Sequence, residues 1–180
     1  DFHLPTLICA VRSGELILFD LGYKSNGYCA DISRTFPVDG VFTGNMKKVY
    51  EAVLNCNKAV IEYAHAGLTI ADLQEYAKTF LKNECVRLEL LDEEDDIRKV
   101  YFHNVSHHLG LDTHDASNRE KPLEEGNVIT VEPGLYFADL GIGVRIEDDI
   151  LIHESSCEVL SAGIPKEIED IEKLFRTKGN

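Results

Sequence analysis

The segment SHHLGLDTHD, residues 106–115, contains three histidines and two aspartates in ten positions. Imidazole nitrogens and carboxylate oxygens are common ligands of divalent metal ions, and histidine also exchanges protons near neutral pH. The segment is therefore compatible with a metal site, a site that handles protons, or a polar loop that is rich in histidine. Residues elsewhere in the chain have to complete a site before either of the first two interpretations can hold.

Four carboxylates lie in sequence contexts that predict burial. Asp20 ends the apolar run LILFD, Asp31 lies within a strand pattern, Glu132 ends VITVE, and Glu147 interrupts IGVRIEDDILI. A carboxylate that is buried alone is costly, so it needs a cation, a proton or several hydrogen-bond donors. One such residue is commonly a structural acid. Four of them, together with His107, are difficult to satisfy with 18 Lys and Arg residues that mostly lie elsewhere.

Carboxylates combined with one imidazole form a mixed oxygen and nitrogen donor set. Divalent Mn, Co, Fe and Zn all suit such donors, whereas an all-cysteine zinc site is excluded. Four carboxylates balance two divalent ions if some of them bridge, and a pair of ions about 3.5–4 Å apart can activate a water molecule. Spacing alone does not bring these residues together, so a two-ion site, a single structural ion and ordinary structural acids all remain open.

The elements that would carry the first two carboxylates form a hairpin. The apolar run at residues 13–22 predicts a buried strand with Asp20 near its end, and residues 27–38 predict a second strand. Residues 23–27 would form the turn between them. Strand alternation places Asp31 on the same face as Cys29 and Ser33.

The middle of the chain predicts two helices. Thr43 would start the first helix and Gly67 would end it, while Thr69 and Asp72 resemble a capping box at the start of the second. The acidic run at residues 92–96 is typical of a solvated loop.

The last third returns to strands. Residues 126–137 predict a buried strand with a turn at Pro133, residues 141–153 a further strand, residues 157–161 a short one, and residues 165–175 a closing helix. Strands and helices without a strict alternation favour an α+β fold.

Composition limits the function classes. The chain has 180 residues, which suits one domain, and its formal net charge of −14 argues against nucleic acid as a partner. No apolar run is long enough for a transmembrane helix, and no signal peptide opens the sequence, so we expect no membrane partner. The five cysteines form no CxxC pair, which predicts free thiols and a cytoplasmic location. The first residue is Asp1 rather than Met, so we expect a fragment or a processed product.

Four ordered motifs, DLGYKSNGYCADISRTF, HNVSHHLGLDTHD, ITVEPGLY and GIGVRIEDDILI, together resemble the aminopeptidase P and prolidase group of dinuclear metallopeptidases. The resemblance runs from His3 to about Ser161. It implies a pita-bread catalytic domain that spans residues 1–180 and is incomplete on its N-terminal side, because family members carry a further N-terminal domain and the first elements of the fold. We therefore expect an exposed apolar surface where those elements would pack.

The resemblance also implies a ligand set. Asp31 and Glu147 would bridge two divalent ions, with Asp20 on one ion and His107 and Glu132 on the other. Manganese is the expected metal, with Co, Fe or Zn as alternatives. Glu132 would in addition be the general base towards a metal-bridging hydroxide.

Three further histidines and one arginine match positions that handle substrate. The resemblance assigns His3, His103 and His114 to substrate binding, with His103 and His114 also taking part in catalysis. Exposure at the chain end is an alternative for His3, and a structural role is an alternative for His103. Strand alternation places Arg145 on the face of Glu147, where it could hold a ligand carboxylate or form a plain surface ion pair.

The implied function is a metal-dependent exopeptidase that cleaves the bond between a first residue and proline. Its partner would be a peptide with proline at the second position, and we expect a homo-oligomer, namely a dimer. The motifs favour an Xaa-Pro aminopeptidase over prolidase, which cleaves only the dipeptide. A binding module that kept the fold without catalysis is a further alternative.

Overall fold

The structure is a computed structural model that describes residues 10–116 and 118–176. Seven strands and three helices are present in these ranges, together with short 3-10 turns at Ile97–Lys99 and Ala138–Leu140. In chain order they are β1 Leu16–Ser25, β2 Tyr28–Pro37, α1 Gly44–Tyr63, α2 Ile70–Arg87, β3 Val128–Val131, β4 Gly134–Phe137, β5 Ile142–Arg145, β6 Asp148–Ile152, β7 Cys157–Val159 and α3 Ile168–Arg176. This mixture confirms the predicted α+β class.

Strands β1 and β2 form an antiparallel hairpin that pairs Asp20 with Ser33 and Gly22 with Asp31. Asp20 lies in the middle of β1, so the prediction that it lies near the end of the strand was wrong. The predicted turn was also too long. Asn26 and Gly27 have φ angles of 51° and 92°, which is the left-handed conformation that a two-residue hairpin turn requires. The strand pairing can therefore continue up to that dipeptide.

Helices α1 and α2 begin where the sequence predicts. Thr43 is the N-cap of α1, and Thr69 and Asp72 form a reciprocal capping box on α2. Helix α1 ends at Tyr63, before the predicted stop at Gly67. The amide of Gly67 donates to the carbonyl of Leu123 at 2.9 Å, so the connecting segment is bonded to a distant loop and does not continue the helix.

The two long strands predicted near the C-terminus are each divided in two. Strand β3 pairs with β6, and β4 pairs with β5, so the chain changes sheets near Pro133 and again before Asp148. Proline lacks the amide that a continuous strand would need. At the second break the amide of Glu147 donates to the carbonyl of Ser33 at 3.0 Å, which connects this point to β2.

The core lies between the two long helices and the strands that follow them. Its fully buried members include Val49, Val53 and Val60 of α1, Leu73 and Leu81 of α2, and Ile129, Leu135, Val144 and Ile150 of the strands. The acidic run forms a loop as predicted, and the Lys82 ammonium donates to the carbonyls of Asp92 and Asp95 at 2.6 Å. These bonds hold the acidic loop against α2.

The outer face of the hairpin is apolar and open to solvent. Phe19, Leu21 and Tyr23 alternate along β1 and are 44%, 64% and 75% exposed. This observation confirms the expected exposed apolar surface. Within residues 10–116 and 118–176, no helix combines the length and the apolar character needed to cross a membrane.

Candidate metal centre

The hairpin brings Asp20 and Asp31 together. Asp20 on β1 lies opposite Ser33, and Asp31 lies two residues earlier on β2, so both carboxylates project from one face of the hairpin. Their ligand atoms lie within 4.8 Å of each other, and burial together with the charge of Asp20 raises the pKa of Asp31. Asp31 is only 9% exposed, whereas Asp20 is exposed.

His107 enters through a segment that runs along β3. The amide of Glu132 donates to the carbonyl of Val105 at 2.8 Å, and the amide of Thr130 donates to the carbonyl of His107 at 2.9 Å. This alignment places the His107 Nε2 atom 3.6 Å from Glu132 Oε1 and 3.6 Å from Asp31 Oδ2. The imidazole therefore lies between a residue of β2 and the residue that follows β3.

Glu147 lies at the break between β5 and β6 and is 2% exposed. Its Oε2 atom accepts a hydrogen bond of 2.7 Å from the Ser33 hydroxyl. The alternation predicted for Arg145, Glu147 and Asp149 puts all three against β2, although the strand is interrupted. Arg145 Nε donates to the Ser33 hydroxyl at 2.8 Å, and Asp149 Oδ2 accepts from the Asp31 amide at 3.2 Å.

The potential ligand atoms of these residues fall into overlapping groups. Those of Asp20, Asp31 and Glu147 all lie within 4.8 Å of one another, and those of His107, Glu132 and Glu147 do the same. Glu147 belongs to both groups, so the two groups adjoin. The structure thus brings together all five residues that the sequence resemblance names as ligands.

The charges in this cluster are poorly compensated. Burial raises the pKa of Glu147 to about 8, and burial also raises the pKa of Glu132 to about 7. The carboxylates add to each other's shifts because like charges disfavour ionisation. Burial lowers the pKa of His107, which favours the neutral imidazole that binds metal. A divalent cation is the partner that would stabilise both the ionised carboxylates and the neutral imidazole.

Arg145 lies beside the cluster and has several partners. Its Nη2 atom is 2.5 Å from Asp20 Oδ2, and its Nη1 atom donates to the Tyr136 hydroxyl at 3.5 Å. The Tyr136 hydroxyl in turn lies 3.0 Å from His103 Nε2. Arg145 and His103 are therefore connected through Tyr136.

The remaining predicted site residues have different positions. His114 is exposed, and its ring meets the His107 ring edge to face at 4.3 Å. Its potential ligand atom also groups with those of Asp31 and His107. His103 hydrogen-bonds through both ring nitrogens, to Asn104 and Tyr136, and burial lowers its pKa. His3 lies outside the described residues.

Two hydroxyl residues of the site, Ser33 and Thr130, were not identified from the sequence as functional. Each lies two positions from a carboxylate of the site along a strand, Ser33 from Asp31 and Thr130 from Glu132. Strand alternation could therefore have indicated them, since residues two apart share a face.

Comparison with known proteins gives a consistent result. Residues 4–154 match the model of metallopeptidase family M24. The Xaa-Pro aminopeptidase of Escherichia coli is 38% identical over 96% of this chain, which corresponds to 44% of that protein. The mitochondrial intermediate cleaving peptidase 55 of Arabidopsis thaliana is 36% identical over 92% of this chain and 36% of its own length.

A solved structure agrees with the sequence relatives. The zinc-substituted aminopeptidase P of Escherichia coli in complex with product superposes with a TM-score of 0.89 at 36% identity. The match covers 98% of this chain and 44% of the other. The chain thus has the fold of aminopeptidase P in part and spans less than half the length of these relatives.

Proposed function

Because the chain belongs to metallopeptidase family M24, we propose that it forms the metal centre of an Xaa-Pro aminopeptidase. The observation that carries this proposal is the position of Glu147, whose carboxylate is shared by two adjoining groups of ligand atoms. Two groups with a common carboxylate suit two cations that are held close together.

The chemistry of the residues fits divalent ions. Asp20, Asp31 and Glu147 would hold one ion, and Asp31, His107, Glu132 and Glu147 would hold the other. The mixed donor set suits Mn, which we propose as the native metal, with Co, Fe and Zn as alternatives. Two such ions, when bound, would activate a water molecule and stabilise the negative charge that develops on a peptide carbonyl.

Glu132 is the proposed general base. In the metal-free protein burial raises its pKa to about 7, while the charge of Arg145 opposes the shift. When the ions are bound, its carboxylate would lie within reach of the water molecule that they activate, which is the position that a general base requires. It would take the proton of the attacking water and deliver it to the proline nitrogen as the peptide bond breaks. Water supplies the hydroxyl group of the released acid, and the proton returns with the leaving amine.

Three histidines and one arginine are the proposed substrate residues. His114 is exposed and beside His107, where it would meet the scissile carbonyl or the proline nitrogen. His103 and Arg145, connected through Tyr136, would line the adjoining wall, and His3 would complete the set. We propose a peptide with proline at its second position as the substrate, supported by the name of the Escherichia coli relative, Xaa-Pro aminopeptidase, and by the structure of aminopeptidase P with the inhibitor Pro-Leu.

A homodimer and a cytoplasmic location complete the proposal. The homodimer is proposed from the family resemblance, and sedimentation velocity would test it. The cysteines in the described part of the chain, Cys29, Cys56, Cys85 and Cys157, carry free thiols, which supports a reducing compartment. The Arabidopsis relative is named as mitochondrial, so subcellular fractionation is the test of location.

The first test combines elemental analysis with peptide hydrolysis on one purified sample. We expect two divalent ions per chain and release of the first residue from an Xaa-Pro-Xaa tripeptide in the presence of Mn. Cleavage of an Xaa-Pro dipeptide alone would instead identify a prolidase. Protein that binds no divalent ion and cleaves neither peptide would contradict the proposal and favour a binding module.

Replacing the general base gives a sharper test. Glu132→Gln should lower kcat by roughly 100- to 10,000-fold, the usual contribution of a positioned base. The matched control is Glu93→Gln in the exposed acidic loop, which should leave kcat unchanged. Full activity of Glu132→Gln would exclude the proposed role.

A further inference from the structure

Thr130 lies on β3, is fully buried, and makes two bonds to the same histidine. Its amide donates to the His107 carbonyl at 2.9 Å, and its hydroxyl oxygen accepts from the His107 amide at 3.1 Å. In a regular antiparallel pair the two residues exchange amide–carbonyl bonds in both directions. Here the second bond goes to the Thr130 side chain, so the backbone of His107 is fastened to a hydroxyl group.

The same hydroxyl group lies on the side of the chain that carries Glu132. Thr130 and Glu132 are two positions apart and share a face of the chain, and a hydrogen bond from Thr130 is among the influences on the Glu132 carboxylate. A threonine hydroxyl has one proton to donate and accepts through its lone pairs. Since the His107 amide is a donor, the hydroxyl proton is available for Glu132.

One hydroxyl group therefore connects the backbone of one proposed ligand with the side chain of another. His107 Nε2 and Glu132 Oε1 lie 3.6 Å apart, on the side of the cluster assigned to one ion. Through its bond to the His107 amide the hydroxyl limits the position of the imidazole, and from the same face of the chain it can donate to the Glu132 carboxylate.

The neighbouring strand shows the same arrangement for the other side of the cluster. Thr130 pairs across the sheet with Asp149, whose Oδ2 atom accepts from the Asp31 amide at 3.2 Å. The Oδ1 atom of Asp149 is buried and has no hydrogen-bond partner among the described residues. Thr130 and Asp149 are thus paired across the sheet, and the side chain of each accepts the backbone amide of a proposed ligand.

We propose that Thr130 is a positioning residue that sets the geometry of His107 and Glu132 for the ion they share. This role rests on the proposed metal centre, in which the Thr130 hydroxyl would support the binding of one of the two ions. Removal of a group that orients metal ligands typically weakens metal binding by about 10- to 100-fold. The ion on the side of Asp20 should be less affected, because Thr130 contacts neither Asp20 nor Asp31 in the bonds described above.

The experiment compares Thr130→Val, which has the same shape without the hydroxyl, with Thr130→Ser, which keeps the hydroxyl. Metal-free protein is titrated with Mn in a calorimeter, and the Co-substituted protein is examined by absorption spectroscopy. In Thr130→Val we expect one of two binding events to weaken by about 10- to 100-fold and the Co spectrum to change. In Thr130→Ser the affinities of both binding events and the Co spectrum should stay close to those of the wild type.

A control separates positioning from simple destabilisation of β3. Ile129→Val removes one methylene from the adjacent, fully buried residue without touching a hydroxyl, and it should keep both binding events. Thr130→Ala against Thr130→Ser is a second matched pair that differs by the hydroxyl alone, and it serves if Thr130→Val does not fold.

The outcomes distinguish this inference from the proposed function. Wild-type protein that binds two ions, with a Thr130→Val variant that binds them equally well, overturns the role of Thr130 and leaves the metal centre intact. Equal loss in Thr130→Val and Ile129→Val also overturns it, because the effect would then be structural. Wild-type protein that binds no divalent ion overturns both proposals.

Discussion

Glu147 combines deep burial with a position among other carboxylates. It is 2% exposed, and its nearest donor is the uncharged hydroxyl of Ser33 at 2.7 Å. Burial, with the charge of Glu132 added, raises its pKa to about 8. A buried carboxylate that ionises without a cation beside it destabilises the folded state. Glu147 therefore lowers the free energy of unfolding of the metal-free protein when it is ionised.

The metal-free protein should therefore lose stability in alkaline solution. The folded-state pKa of Glu147 lies above its ordinary value of 4.5, so the folded chain holds the proton more tightly than the unfolded chain. The resulting stabilisation is complete below about pH 4.5 and disappears as the pH rises through about 8. Glu147→Gln keeps an oxygen for Ser33 and removes the charge.

We expect metal-free Glu147→Gln to be more stable than the wild type at pH 9 by roughly 1–3 kcal/mol, and close to it at pH 5, because one pKa unit corresponds to about 1.4 kcal/mol. The same variant should bind Mn more weakly. Urea unfolding in the presence of a chelator, at both pH values, measures the first effect, and calorimetry measures the second. An exposed control, Glu158→Gln, should change neither the stability nor the binding of Mn. If Glu147→Gln destabilised the metal-free protein equally at both pH values, the argument would be refuted.

At the scale of elements, a buried ion-pair network holds β2, β6 and the segment before α3 together. Asp148 is 1% exposed and accepts from Arg34 Nη2 at 2.7 Å, from Lys166 Nζ at 2.6 Å and from the Ser161 hydroxyl at 2.6 Å. Arg34 also donates to the carbonyls of Ser33 and Glu147, so the network fixes the strand break at which Glu147 lies.

Asp148→Asn should therefore destabilise the protein by about 3–5 kcal/mol, because it leaves buried cations without a counter-charge. Burial alone would raise the pKa of Asp148, but Arg34 and Lys166 hold it below 3.8. The contribution is present above pH 3.8 and is lost as the pH falls through the lower folded value, so the variant and the wild type should converge in strong acid.

Chemical denaturation across this pH range measures the effect. The control Glu75→Gln removes the partner of Lys78, an exposed pair that should be worth less than about 1 kcal/mol. A loss in Asp148→Asn no larger than in this control would show that the network does not stabilise the fold.

Elements whose boundaries depend on local chemistry were predictable from the sequence. The Thr69–Asp72 capping box and the start at Thr43 involve neighbours along the chain, and the structure has both. The turn at Pro133 that divides residues 126–137 was predicted, whereas the division of residues 141–153 was not predictable. It depends on partners that only the fold supplies, such as the Ser33 carbonyl that receives the Glu147 amide.

The candidate site likewise combines residues that the sequence predicted with residues that it did not. The residues that the sequence resemblance named as ligands lie together, and unpaired acids in apolar runs had already indicated four of them. The hydroxyls of Ser33 and Thr130 carried no such signal, since a threonine or serine in a strand is ordinary. Their importance comes from neighbours that are distant in sequence, as in the pairing of Thr130 with His107.

At the scale of the whole molecule, β1 has two faces with opposite character. Asp20 faces the carboxylate cluster, while Phe19, Leu21 and Tyr23 project from the other side into solvent. The second face continues across β2 to Phe36, which packs edge to face against Phe19 with ring centroids 6.0 Å apart. One strand therefore carries a site residue and an open apolar surface, and either face can be altered without changing the other.

This separation predicts that Leu21→Lys changes the surface and spares the metal centre. Leu21 is 64% exposed in the middle of the apolar face, so a charge there should reduce binding of an apolar fluorescent dye by about half or more without lowering thermal stability. The number of Mn ions bound per chain should stay at the wild-type value, because the side chain projects away from Asp20 and Asp31.

Leu160→Lys, at a 52% exposed position outside the hairpin, is the matched control and should leave dye binding unchanged. If dye binding persisted in Leu21→Lys, or fell equally in Leu160→Lys, the hairpin would not be the principal apolar surface of the molecule. If metal binding fell as well, the two faces of β1 would be coupled, and the strand would transmit changes on its outer surface to the carboxylates on the other side.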